Sequence, residues 1–247
     1  MEPFAIAVLA AGGFVAGVVN TLAGGGSMLT VPLLVMLGWP GTLATGTTRI
    51  GGLAQTVAAV ASFRQRGIGA LTASLPVLAP VALGSIAGAV AVSRLADATF
   101  ERAFGLVMLA ILAPTLRPPK PRVADGGVAA WPAWVRGLVF FAIGLYGGAF
   151  QAGVGIVLLL ALGRAGYDLV TANAIKVLVV GALTAVAVPV FVASAQVAWG
   201  PALVLTAGMA AGGWVGAHFA VRGGERLIRP VLAVAVIALA LRMIGLL

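Results

Sequence analysis

The chain has 247 residues, of which 62% are hydrophobic and only 9% charged, and its mean hydropathy is +1.15. Six carboxylates and fifteen basic residues are too few to coat a water-soluble globule of this length, so the composition places the protein in a membrane. The formal charge of +9 does not point to nucleic acid, because the basic residues fall mostly between apolar runs, where membrane proteins carry Lys and Arg; the absence of cysteine excludes disulfides, thiolate metal sites and cysteine nucleophiles, and a single histidine leaves little for metal chemistry.

In chain order, polar breaks delimit eight apolar stretches, at 4–38, 42–63, 70–93, 100–116, 136–163, 168–193, 198–221 and 227–247. The first follows Met-Glu-Pro-Phe, which lacks the basic region of a secretory signal, and is expected to be a membrane helix. Most stretches match one crossing of about 20 residues. The first and fifth are longer, and each carries glycines inside it: Gly24, Gly25 and Gly26, then Gly147, Gly148, Gly153 and Gly155. Glycine clusters at these places predict broken helices.

The proline-rich segment from Arg117 to Arg136 separates two halves, giving a first membrane repeat over 1–116, a linker over 117–135 and a second repeat over 136–247. The halves resemble one another. AGGGSMLTVPLL at 23–34 echoes AGVGIVLLLALG at 152–163, Arg49 answers Lys176, and Gly84, Gly88 and Arg94 recur as Gly212, Gly216 and Arg222, each 128 positions later. An internal duplication follows.

The basic residues discriminate between topologies. If the long stretches cross once, those outside the membrane interior divide seven against six and give no orientation. If each long stretch enters and returns, the division becomes ten (Arg64, Arg66, Arg117, Lys120, Arg122, Arg136, Arg164, Arg222, Arg226, Arg229) against three (Arg94, Arg102, Arg242). The expectation is therefore an all-α polytopic membrane protein of two inverted repeats, each a glycine-broken hairpin or re-entrant pair followed by three transmembrane helices. Both termini then lie outside and the linker lies in the cytoplasm.

Arg49 and Lys176 each sit about seven residues, roughly 10 Å, inside a membrane helix, with no carboxylate at that depth. Two roles are open to them: binding an anion, or snorkelling and bonding backbone carbonyls. The glycine clusters favour the anion, because helices restarting at Ser27 and after Gly153 and Gly155 aim free N–H groups and positive dipole ends into the membrane. The candidate site comprises Arg49, Lys176, Gly24, Gly25, Gly26, Ser27, Asn20, Thr47, Thr48, Gln151, Gly153, Gly155 and Asn173, with Thr21 nearby; the polar members serve equally well as helix-to-helix glue. The spacings Gly13/Gly17, Gly84/Gly88, Gly144/Gly148 and Gly212/Gly216 predict close helix packing. No Gly-Lys-Ser/Thr follows the glycines, which removes a nucleotide loop, and Ser27 and His218 lie too far apart in sequence to suggest a hydrolase.

GFVAGVVNTLAGGGSMLTVPLL with the later GTTR segment, and GLYGGAFQAGVGIVLLLAL followed by TANAIKVL, resemble the two repeat signatures of the TauE/SafE family of sulfite and organosulfonate exporters. The resemblance spans essentially the whole chain and departs from the pattern at Gln151, where a small residue is expected. It implies a bacterial inner-membrane exporter of a small sulfur anion, sulfite first and an organosulfonate such as sulfoacetate second, with no cofactor and no enzymatic activity. An anion channel is the alternative; membrane lipids are expected neighbours, and a homodimer is left open.

Overall fold

The computed structural model describes residues 2–116, 131–220, 234 and 236–246, and is helical throughout its regular structure, with no strand among the described residues. In chain order the helices are α1 (Pro3–Ala23), α2 (Ser27–Met36), α3 (Gly41–Gln65), α4 (Leu71–Val92), α5 (Asp97–Leu116), α6 (Ala133–Ala149), α7 (Val154–Arg164), α8 (Leu169–Ala193) and α9 (Trp199–Ala220), with a further helical run at 236–243. Hydropathy placed most of these ends within three residues. The sixth helix begins at Ala133, inside the expected linker, because Pro132 fixes an extended N-cap and frees the next residue to start a helix. Linker residues 117–130, and the stretch 221–233 with Arg222, Glu225, Arg226 and Arg229, lie outside the described residues.

Four described segments are long and apolar enough to cross a membrane: Pro3–Leu22, Leu71–Val92, Leu169–Ala193 and Trp199–Ala220. α2 and α7, with 10 and 11 residues, are about 15 and 16 Å long and cannot cross alone. Each is the return arm of a broken stretch. Gly12 of α1 faces the Leu33 side chain of α2, while Gly26 faces Ala16 and Asn20, so α2 runs back along α1. α6 and α7 are joined in the same way, with Gly147 against Val154 and the Tyr146 hydroxyl donating to the Ala152 carbonyl.

The small-residue pairs do what their spacing predicts. Gly208 and Gly212 of α9 lie against the backbone at Ala10, Phe14 and Val18 of α1, so the two helices run parallel in close contact. Gly84 and Gly88 of α4 lie against the backbone at Phe141, Leu145 and Ala149 of α6, again in parallel. A Cβ at Gly84, Gly88, Gly144, Gly148 or Gly212 would intrude on a backbone carbonyl of the facing helix, which explains glycine at each of them.

Cross-element contacts sort into two faces. On one, Asp97 accepts from the Thr42 N–H and hydroxyl at 3.0 and 2.6 Å, the Ala198 N–H donates to the Thr47 hydroxyl, and the Gln196 amide donates to the Ser93 carbonyl. On the other, Arg66 meets His218 and the Ser62 hydroxyl donates to the Trp214 carbonyl. The apolar core is likewise split. One cluster includes Leu9, Leu34, Phe100, Phe104 and Phe191, and the other includes Phe63, Val77, Phe140, Leu158 and Leu183.

Candidate functional site

Helix α1 ends at Gly24, whose left-handed backbone (φ 80°) turns its N–H back onto the carbonyls of Asn20 and Val19. Two demands converge on this glycine: the positive φ, and the Gly155 backbone packed against the place a Cβ would occupy. Gly155 is confined reciprocally by Gly24 and by the aliphatic stem of Lys176. The two helix breaks therefore meet back to back, and α2 and α7 both start from the meeting point. Their first turns carry the positive ends of their dipoles, and the N–H groups of Met28, Leu29, Val154 and Ile156 bond the carbonyls of Gly25, Gly26, Gln151 and Gly153 just before each helix.

The buried cations act across this junction. The Arg49 guanidinium, fully buried on α3, donates to the carbonyls of Gly147 at 3.2 Å, Gly148 at 2.5 Å and Ala149 at 3.3 Å, which are the last carbonyls of α6. It also lies 4.6 Å from the Phe191 ring centroid, close enough for a cation–π contact. Lys176 of α8 donates to the carbonyls of Asn20 at 3.2 Å and Thr21 at 2.7 Å, near the end of α1. Each cation therefore bonds the carbonyls at the C-terminal end of a helix that precedes a break, Arg49 those of α6 and Lys176 those of α1. Of the two roles the sequence allowed, the structure displays the bonding to carbonyls. Arg49 still keeps a buried Nε with no hydrogen-bond partner.

A polar network surrounds the breaks. The Asn20 amide donates to Gln55 at 2.7 Å and accepts from the Gly26 N–H at 3.3 Å, while the Gln55 amide donates to Thr21 at 2.7 Å. Opposite, the Ser27 hydroxyl donates to the Gln151 carbonyl at 2.8 Å, and the Gln151 amide donates to Thr184 at 2.7 Å. Gln55, Thr184 and Tyr146 belong to this network although the sequence reading did not single them out. The signal was present for the first two, which are buried polar residues in the middle of α3 and α8, six and eight residues past the two cations.

The remaining expected residues fall into two groups. Gly25 and Gly153 lie in the breaks themselves, Gly153 with φ 62° as the N-cap of α7. Asn173 is buried one turn before Lys176, and its carbonyl oxygen has no hydrogen-bond partner. Thr47 and Thr48 are drawn elsewhere: Thr47 donates to Leu43 and accepts from Ala198, and Thr48 donates to Thr45. Among the described residues no three His, Cys, Asp or Glu side chains gather as for a metal ion.

Broken helices that meet inside a multi-pass bundle, with buried polar groups and cations around the break, define a membrane transporter. The chain belongs to the TauE/SafE sulfite exporter family, whose profile matches residues 9–243. It is 28% identical over 242 residues to a probable membrane transporter protein, ORF9, of Sinorhizobium sp., covering 97% of this chain and 92% of that one. A probable membrane transporter protein of Haemophilus influenzae is 28% identical over 230 residues, covering 93% and 90%. The probable membrane transporter protein YfcA of Escherichia coli K12 is 23% identical over 235 residues, covering 95% and 87%.

Proposed function

We propose that the protein exports a small sulfur oxyanion, sulfite first, across a bacterial inner membrane by alternating access around the paired helix breaks. The observations that carry this reading are the contact of Gly24 with Gly155 and the Ser27 hydroxyl donating to the Gln151 carbonyl, which set the start of α2 beside the start of α7. A helix tip presents about half a positive charge, suited to an oxyanion. The broken stretches also create two C-terminal ends, at α1 and α6, whose carbonyls would repel it. Lys176 and Arg49 cap those carbonyls, and one full charge on roughly half a negative charge leaves each end positive. Both cations thus favour the anion through the field even while they bond carbonyls. Ser27, Asn20, Gln151 and Asn173, with the glycines of the two breaks, Gly24, Gly25, Gly26, Gly153 and Gly155, complete the proposed site.

An inverted duplication underlies this arrangement, with repeats at 1–116 and 136–247 and a cytoplasmic linker between them. It is supported by the matching α1–α9 and α4–α6 contacts and by the reciprocal cation caps. The face bearing Arg64, Arg66 and His218 is assigned to the cytoplasm and the face bearing Asp97 and Gln196 to the outside. A resting potential, negative inside, drives a monoanion outward by about 2.3 kcal/mol per 100 mV, so export needs no coupling ion.

The test is counterflow in proteoliposomes. Unlabelled sulfite inside should accelerate uptake of labelled sulfite, as a carrier requires, and thiosulfate or small sulfonates should compete better than chloride. Flux that shows no acceleration would make the protein a channel, and no protein-dependent flux of any of these anions would refute the proposal.

A further inference from the structure

Gln151 stands where the fold would most easily take glycine. Its backbone adopts φ 57°, in the left-handed region that disfavours a side chain, and among the described residues only Ala195 shares this exception. Yet the side chain does not turn out to solvent. Gln151 is 8% exposed, its amide donates to the buried Thr184 hydroxyl of α8 at 2.7 Å, and Thr184 in turn donates to the Val180 carbonyl. On the other side, a Cβ built on Gly52 of α3 would lie 3.8 Å from the same amide nitrogen, so the Gln151 tip takes up space that Gly52 leaves empty. Its carbonyl is held by Ser27 at the first turn of α2. Gly52 lies one helical turn from Arg49, and Gly153, the N-cap of α7, lies two residues past Gln151. One strained residue thus bridges α2, α3 and α8 at the junction of the breaks.

We propose that Gln151 determines the size of the transported anion: its side chain fills the joint between Gly52 and Thr184, so that bare sulfite passes and alkyl-bearing sulfonates are held back. The inference rests on the reading of the breaks as the anion site. A glycine at 151 would keep the positive φ, retain the carbonyl that Ser27 bonds, and remove only the filling side chain. The strained backbone and the buried amide together mark a position where the side chain itself is wanted.

Flux of sulfite, methanesulfonate and ethanesulfonate into proteoliposomes separates the possibilities. Gln151→Gly should raise the ethanesulfonate-to-sulfite flux ratio at least tenfold, roughly what one methylene in a close-fitting site is worth. Thr184→Val, which frees the amide without touching the strained backbone, should move the ratio the same way by less, and it decides the matter if Gln151→Gly does not fold. An unchanged ratio with sulfite flux intact overturns the size role and leaves the function standing. Loss of all flux in folded Gln151→Gly also overturns it, since the side chain would then be required for transport itself rather than for limiting the size of the anion. Wild-type protein that carries none of the three anions refutes the function and this inference with it.

Discussion

Replacing Arg49 by Met keeps the length and apolar stem of the side chain and removes the donors that reach the carbonyls of Gly147, Gly148 and Ala149. These carbonyls end α6 in the interior, where no water replaces the lost bonds. Leaving buried carbonyl acceptors without their donor costs about 1 to 3 kcal/mol, and the contact with Phe191 is lost as well. For a chain of this size, each kcal/mol lowers the melting temperature by roughly 2 to 4 °C, so the anion-free variant should melt about 2 to 12 °C below wild type. Arg49→Lys should fall between them, because an ammonium cannot span three successive carbonyls as a fork does. The assay is differential scanning fluorimetry in detergent, on tryptophan emission and without added anion. A ligand whose only partner is the transported anion would behave oppositely, since its removal relieves a desolvation cost. An unchanged or raised melting temperature in Arg49→Met would refute the cap.

Lys176→Met should likewise destabilise the anion-free protein, by less than Arg49→Met if the Asn20 and Thr21 carbonyls are its main partners, as the same melting assay would show. Gly148→Leu should separate α4 from α6 and yield little folded protein by size-exclusion chromatography, whereas Gly69→Leu, which meets nothing, should purify normally. Single cysteines on this cysteine-free chain should label from opposite sides of the membrane, Gly69→Cys from the cytoplasm and Ala98→Cys from outside; labelling from one side only would break the proposed topology. Asp168 caps α8, and hydrogen bonds from the Thr171 side chain and then the Thr171 and Val170 N–H groups hold its carboxyl below the usual range. Its folded pKa is the lower one, so its contribution is complete above the unfolded value near 3.9 and fades as pH falls through the folded value. Asp168→Ala should cost about 1 kcal/mol at neutral pH and progressively less in acid, measured by melting across pH.

Hydropathy alone located the helices because a crossing needs about 20 apolar residues, and little else lengthens an apolar run to that size. The breaks were legible because three consecutive glycines have few uses inside a membrane helix; the glycine pairs signalled close helix contacts, but that α1 meets α9 and α4 meets α6 emerges only from the structure. The partners of Arg49 and Lys176 were not legible. A carbonyl belongs to every residue, so nothing in the residue types at 147–149 or 20–21 marks them as acceptors; only the crossing of α3 with α6 and of α8 with α1 selects them. Gln151 attracted notice as an unexpected large residue, but its strained backbone and its bond to Thr184 depend on the turn between α6 and α7, which sequence spacing does not define.

The most direct test of the paired breaks as the anion site is a crystal structure with selenite, the heavier congener of sulfite, located by its anomalous scattering. If the breaks hold the anion, a selenium peak lies within hydrogen-bonding reach of the N-terminal turn of α2 or α7, beside Ser27 or Gly155. Selenium found only at surface arginines such as Arg64 and Arg94, with the junction of Gly24 and Gly155 empty, would contradict it.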